Sequence, residues 1–236
     1  MVSPQIEYTV IIPVFNEEGS LAELQERLHL VMEGVDGGYE IIYVDDGSTD
    51  SSPDILKKLK SSSGKIKIIS FDKNRGKGPA LQAAFKEAAG RWIITLDADL
   101  QNPPEEIPKL IQSKEVSDYI IGIRKNRKDN FIKIWAAITA RLFRRIALGD
   151  VTIDAGCGLR IFKKEVVKTI PFFRNYFIYL TFLARAKGYT IREVSVRHDR
   201  RRAGKSKFGI FKRAAQGCVD LWRVRRLPLV KKDHHI

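Results

Sequence analysis

Apolar residues fall along this chain in two rhythms. Short apolar runs recur at Tyr8–Val14, Glu40–Val44, Lys65–Phe71, Trp92–Leu96 and Tyr119–Ile123. Their length and their Ile, Val and aromatic content predict buried strands. Between them the spacing turns helical. Glu18–Val35 carries Leu21, Leu24, Leu28 and Val31 on one face, and Ser51–Leu59 opens with the Ser, Asp and Pro of a helix start. A Gly-rich loop, Asn74–Pro79, leads into an Ala-rich helix, Ala80–Ala89. Alternation of this kind predicts an α/β fold: a mainly parallel central sheet, right-handed crossovers and flanking helices.

The second half is less regular. Pro103-Pro104-Glu105-Glu106 suits the first turn of a helix. Phe131–Leu148 predicts a helix with Ile134, Ile138, Leu142 and Ile146 on one face and Arg141, Arg144 and Arg145 on others. Arg174–Lys187 reads as a helix and Thr190–Val196 as a strand. From Arg197 to Lys232 the chain is strongly basic, with Phe208, Phe211, Leu221, Trp222 and Leu227 interspersed. The expected organisation is a body over 1–207 and a basic amphipathic tail over 208–236, with no repeat and no low-complexity linker.

Composition narrows the function. With 236 residues, 44% of them hydrophobic, the chain can bury a sizeable core. Its formal net charge of +14 favours an anionic partner: nucleic acid, phospholipid headgroups or phosphorylated substrates. Cys157 and Cys218 are too few for a disulfide scaffold, and neither they nor the four histidines show metal-ligand spacing. No signal peptide and no transmembrane run is visible, and both cysteines are expected to be reduced in a cytosolic compartment.

The candidate chemistry stands at strand ends. Asp97-Ala98-Asp99 leaves the strand Trp92–Leu96, with Gln101 close behind. Open α/β sheets bind ligands at such ends. Acids on alternate residues offer hard oxygens to a divalent cation beside a diphosphate, although Asp is also an ordinary turn residue. Asp45-Asp46-Gly47-Ser48 ends the second strand, where acids can accept hydrogen bonds from a ribose or base, or equally cap a turn. Pro13-Val14-Phe15-Asn16-Glu17-Glu18 ends the first; there a ring can stack on a base, while Glu17 or Glu18 equally suits a first helical turn. No G-x-G-x-x-G follows the first strand, which excludes the dinucleotide-binding fingerprint.

These three loops, in this order, resemble the GT-A-fold glycosyltransferases of family 2. The likeness sharpens downstream. Asp97–Glu105, Gly122–Asp129, Asp154–Arg160 and Arg201–Gly209 are similar to successive signatures of the polyprenyl-phosphate glycosyltransferases, the dolichol-phosphate mannose synthase group. The resemblance spans roughly 8–210. It departs at Arg174–Tyr179, where many relatives carry a His-Arg-Phe-type stretch, and in the helix after the basic segment, which has Ala136, Ala137 and Thr139 where many have a serine. Several relatives also carry C-terminal membrane helices.

The resemblance implies an inverting transfer of a hexose, mannose or glucose favoured, from a nucleotide-diphosphate sugar to a polyprenyl phosphate. Pro13, Phe15, Asn16, Glu17, Asp45, Asp46, Asp97, Ala98 and Lys205 are the expected donor residues. Asp99 and Gln101 are expected to hold Mg²⁺ or Mn²⁺, and Asp97, Asp99, Arg124 and Arg201 to carry the chemistry. Arg124, Arg127, Lys133 and Arg141 are candidates for the acceptor phosphate, since guanidinium binds phosphate through paired hydrogen bonds. A lipid acceptor implies a peripheral protein on the cytosolic face of a membrane, docked through Phe131–Leu148 and Phe208–Val230 or assisted by a membrane-anchored subunit. The alternatives are a family 2 transferase acting on a saccharide or protein hydroxyl, with Asp154 as general base, and a basic nucleic-acid-binding module. The latter leaves three acidic loops unexplained.

Overall fold

The computed structural model describes residues 6–125, 131–200 and 210–228. They form a seven-stranded sheet flanked by helices. At its centre β1 (Ile6–Val14) runs parallel to β2 (Gly38–Asp45) on one side and to β4 (Trp92–Thr95) on the other. Beyond β2 lies β3 (Ile66–Ser70), again parallel. On the far side of β4 come β6 (Arg160–Lys163), β5 (Tyr119–Arg124) and β7 (Ile191–Val196), giving the order β3-β2-β1-β4-β6-β5-β7. Only β6 is antiparallel to its neighbours. Val10, Ile11 and Ile12 of β1 are fully buried, as expected of a strand covered on both faces.

Three helices follow the first three strands: α1 (Leu21–Glu33), α2 (Ser52–Ser62) and α3 (Lys77–Glu87). In α1 the buried face is Leu21, Leu24, Leu28 and Met32, with Val31 only partly buried. Steps of three, four and four follow the 3.6-residue period. α3 begins three residues before its predicted start. Gly76 caps it with φ 96°, and Gly78 and Pro79 lie in its first turn, where proline forfeits no helical hydrogen bond.

After β4, a 3-10 turn at Pro104–Glu106 leads into α4 (Ile107–Ile111). The remaining helices are α5 (Phe131–Leu148), α6 (Lys164–Thr169), α7 (Tyr176–Ala186) and α8 (Ile210–Arg225). α8 lies within the basic tail and rests on the body. Its Val224 is fully buried, and its Asp220 accepts a hydrogen bond from Asn175 Nδ2 at 2.7 Å.

α5 has its predicted limits, but its apolar stripe faces outward. Ile138, Leu142 and Ile146 are exposed, as are Trp135 and Phe143, whereas Arg144 is buried and paired with Asp150 at 3.0 Å. Among the described residues no helix is long and apolar enough to cross a membrane.

Candidate active site

The parallel strands deliver their acidic loops to one edge of the sheet, and the loops are stitched to one another. Asn16, at the end of β1, adopts φ 53°, a conformation asparagine tolerates better than most residues. Its Oδ1 accepts from Thr49 N at 2.7 Å and its own N–H donates to Ser48 Oγ at 3.0 Å. Glu17 N donates to Ser52 Oγ at 2.9 Å, and Ser51 N donates to Glu18 Oε2 at 2.9 Å. The Glu17 residue itself is buried. Pro13 sits inside β1 opposite Val44, and Phe15 follows half-buried at the strand's exit.

At the end of β2 the two acids divide their work. Asp45 Oδ1 accepts from Ser48 N at 2.9 Å, closing its own turn. Asp46 reaches across to the loop after β3, accepting from Arg75 N at 2.7 Å, Gly76 N at 2.9 Å and Asn74 Nδ2 at 2.9 Å. Burial pushes its carboxyl above the ordinary range, and the two main-chain donors partly offset that. Gly47, at φ +70°, lies so close to this loop that a Cβ would meet Lys73 C at 2.5 Å.

Asp97 is the electrostatic hub. Burial opposes its charge, but the Lys77 ammonium, ion-paired to its Oδ1, together with Arg124 and Arg160, outweighs burial and holds the carboxyl below its usual range. Its Oδ2 lies where a Cβ on Gly158 would come within 2.2 Å, so the turn into β6 can approach only as glycine. Arg160 is buried and donates to three main-chain carbonyls: Cys157 at 2.9 Å, Ala155 at 2.8 Å and Phe177 at 2.5 Å. It thereby ties the 155–158 turn to α7 while lending its charge to Asp97. Neither Lys77 nor Arg160 was singled out by sequence. Each becomes visible only when strands distant in sequence are brought together.

Asp99 is buried and accepts from Gln101 N at 3.1 Å; Ala98 is buried between the two acids. Leu100 takes φ 60°, a strained value for a leucine, and sinks its side chain into the core. Gln101 O accepts from Asp199 N at 2.9 Å, tying the exit of β7 to the acidic loop. Among the described residues no three His, Cys, Asp or Glu side chains gather into a metal cage. A carboxylate and an amide oxygen from one turn suit Mg²⁺ or Mn²⁺ nonetheless, because such ions take one or two protein carboxylates and complete their shells with phosphates and water.

Arg124 ends β5. Its Nε and Nη2 each lie 2.7 Å from an oxygen of Asp154, and its N–H donates to the same carboxylate at 3.2 Å. This two-pronged pair fixes the guanidinium near Asp97. Arg141 is exposed on α5, and its charge acts on Glu193 of β7, whose carboxylate accepts from Ile153 N at 3.0 Å. Lys133 lies in α5 with its side chain outside the described residues; Arg127, Arg201 and Lys205 are also outside them.

Residues 9–170 match the family model described as Glycosyl transferase family 2. The chain is 34% identical over 206 residues to the undecaprenyl-phosphate 4-deoxy-4-formamido-L-arabinose transferase of Edwardsiella ictaluri, covering 86% of this chain and 63% of that protein. Against the transferase of the same name from Pseudomonas syringae it is 36% identical, covering 85% and 60%. The chain thus spans about 60–63% of the length of these relatives. Among solved structures, glucosyl-3-phosphoglycerate synthase from Mycobacterium tuberculosis, in complex with Mn²⁺ and UDP-glucose, superposes with a TM-score of 0.69 at 18% identity, over 93% of this chain and 79% of that one. That likeness bears on the fold alone, and the fold is GT-A.

Proposed function

Because the chain belongs to glycosyl transferase family 2, we propose that it moves a sugar from a nucleotide-diphosphate donor to the phosphate of a polyprenyl phosphate. The observation that carries the choice of acceptor is the Arg124–Asp154 pair. A sugar or protein hydroxyl must lose a proton as it attacks, and a carboxylate has to take it. Asp154, the first suspect for that task, has both oxygens engaged by a guanidinium, so a proton arriving there would have to break that pair. A phosphate acceptor is already ionised near neutral pH and needs positive charge beside it, not a base.

The donor nucleotide is assigned to the edge formed by Pro13, Phe15, Asn16, Glu17, Asp45 and Asp46, with Asp97 and Ala98 facing its sugar or ribose. Asp45 keeps the turn in shape, while Asn16 and Asp46 lock the loops on either side. Asp99 and Gln101 would hold a divalent cation, which when bound supplies positive charge to the departing diphosphate. Arg124 orients the acceptor phosphate for in-line attack. An acceptor oxygen then bonds to the anomeric carbon as the carbon–diphosphate bond breaks, with inversion. Arg201 and Lys205 are assigned to the donor pyrophosphate, and Arg127, Lys133 and Arg141 to the approach of the anionic acceptor.

A lipid acceptor also accounts for the outward face of α5. Trp135, Ile138, Leu142, Phe143 and Ile146 offer an apolar strip beside the exposed Arg141 and Arg145. Such a helix lies in the plane of lipid headgroups, its cations adding attraction to anionic lipid. The protein is therefore read as peripheral, on the cytosolic face, alone or beside a membrane-anchored subunit. Mannose and glucose remain the favoured sugars by resemblance, and the relatives' names add 4-deoxy-4-formamido-L-arabinose.

The test is release of nucleoside diphosphate from GDP-mannose, UDP-glucose and an activated 4-deoxy-4-formamido-L-arabinose, with Mg²⁺ or Mn²⁺. Release that requires polyprenyl phosphate, and does not occur with the corresponding polyprenol, supports a phosphate acceptor. Release driven by a saccharide and indifferent to the lipid phosphate overturns it.

A further inference from the structure

A second feature lies outside the acidic edge. A cavity of about 500 Å³ opens between the loop after β3 and the segment entering α7. Lys73, Arg75 and Arg174 line it from its two sides, Gln82 adds an amide, and Phe172 and Phe173 form an aromatic wall. None of the acidic strand-end residues is among its lining residues. The volume is within the range that receives small organic ligands.

The walls are held rigidly. Asp46 fixes one side through three hydrogen bonds to residues 74–76. The other side touches α3 where Gly78 has no side chain, since a Cβ there would meet Arg174 O at 2.0 Å. Arg75 and Asp46 attract each other, but the Asp46 oxygens are already taken up by that loop. Among the described residues no ion pair joins Lys73, Arg75 or Arg174 to a carboxylate. Arg75 instead lies over the Phe71 ring at 4.6 Å, and Arg223 of α8 adds another cation 5.8 Å from the Phe173 ring. Cations brought together on a fixed frame, without internal anions, raise the local concentration of an external one. Arginine is the residue best shaped for phosphate.

We propose that this cavity is a phosphate-binding site separate from the donor edge, one that takes a phosphate group attached to an apolar body. The cations receive the phosphate, and Phe172, more than a third exposed, receives the apolar part. The site is argued from charge and shape alone and does not depend on the transfer reaction. Its phosphate can belong to a lipid headgroup or to a soluble organic phosphate, and α8, whose Arg223 stands 5.8 Å from the Phe173 ring, also turns Val219 and Trp222 outward.

Calorimetric titration with monomeric short-chain phosphatidylglycerol and with inorganic phosphate, both in saturating UDP or GDP and without any sugar donor, tests the site. The double variant Lys73→Gln/Arg174→Gln should bind on the order of tenfold more weakly than wild type. Lys58→Gln/Lys60→Gln, which removes the same charge from exposed positions of α2, should bind like wild type. Lipid binding weakened further by Phe172→Ser identifies a headgroup site. Lipid binding weakened by the double variant but unmoved by Phe172→Ser, and no tighter than that of inorganic phosphate, leaves the apolar body without a seat and overturns the proposal. Absence of binding to both probes, displacement by the nucleotide, or equal losses in the two double variants overturns the proposal. Binding retained by a chain that transfers no sugar would leave the site standing and remove only the transferase reading.

Discussion

Lys77, in the first turn of α3, is ion-paired to Asp97 beyond the end of β4, and so joins the loop after β3 to the acidic motif. Lys77 also stands 5.4 Å from the centre of the Phe177 ring, which links the same point to α7. Asp97 titrates below the ordinary carboxylate range because Lys77, Arg124 and Arg160 outweigh its burial. Removing one of the cations raises that pKa. Lys77→Met is therefore expected to move the acid limb of kcat/KM to higher pH, while Lys77→Arg stays near wild type. An acid limb unmoved in Lys77→Met would sever the pair from activity.

Asp99 offers the buried carboxylate of the candidate cation site. Asp99→Ala is expected to lower kcat by roughly a thousandfold, the scale seen when charge stabilisation of a leaving group is removed. Gln101→Ala should raise the metal concentration needed for half-maximal rate on the order of tenfold with less effect on kcat. A metal titration of initial rates separates the two; equal behaviour of both variants would contradict the division of roles.

Breaking one side of the Arg124–Asp154 pair leaves a poorly hydrated charge behind. Arg124→Met and Asp154→Asn should each destabilise the fold by roughly 3–5 kcal/mol, and the double variant by much less than the sum. Urea melts of the four proteins measure the coupling. If Asp154 were instead a general base, Asp154→Asn would abolish turnover while leaving the melting curve unchanged.

Asp118 holds the edge of the sheet where β5 and β6 meet α6 and β7. Lys163 Nζ at 2.7 Å, Thr190 Oγ1 at 2.7 Å and Thr190 N at 2.9 Å surround it. Burial opposes its ionisation, and these donors overcome it, bringing the carboxyl down to about 2. A pKa depressed below the unfolded value of about 3.9 stabilises the fold above that pH and loses the contribution as pH falls toward 2. Asp118→Asn should flatten the dependence of stability on pH between about 4 and about 2. An unchanged slope would show that the ionised carboxylate contributes nothing there.

Much of this was legible in the sequence, because strands and helices with long periodic runs announce themselves. The five early strands, the limits of α5 and the acidic loops at strand ends follow from local pattern. β6 escaped because it is four residues long, bounded by Arg160 and Lys163, and runs straight into α6. Its apolar pair, Ile161 and Phe162, is too short to set a period. The pattern of α5 identified which residues share a face but not which way that face turns. Arg144 goes inward because Asp150 waits there, a partner the helix itself does not contain. Lys77 and Arg160 were hidden for the same reason: their meaning depends on Asp97, a residue 20 and 63 positions away. Asn16 and Asp46 were legible as polar strand ends, yet the loops they fasten emerge only from the fold.

The central claim concerns what the acceptor becomes, and mass spectrometry of the extracted lipid tests it most directly. After incubation with polyprenyl phosphate, a divalent cation and each nucleotide sugar in turn, the account predicts a lipid phosphate heavier by one sugar residue with at least one donor, and no such species with Asp99→Ala. A lipid of unchanged mass across the donors, with the sugar recovered instead on a hydroxyl acceptor, would contradict it.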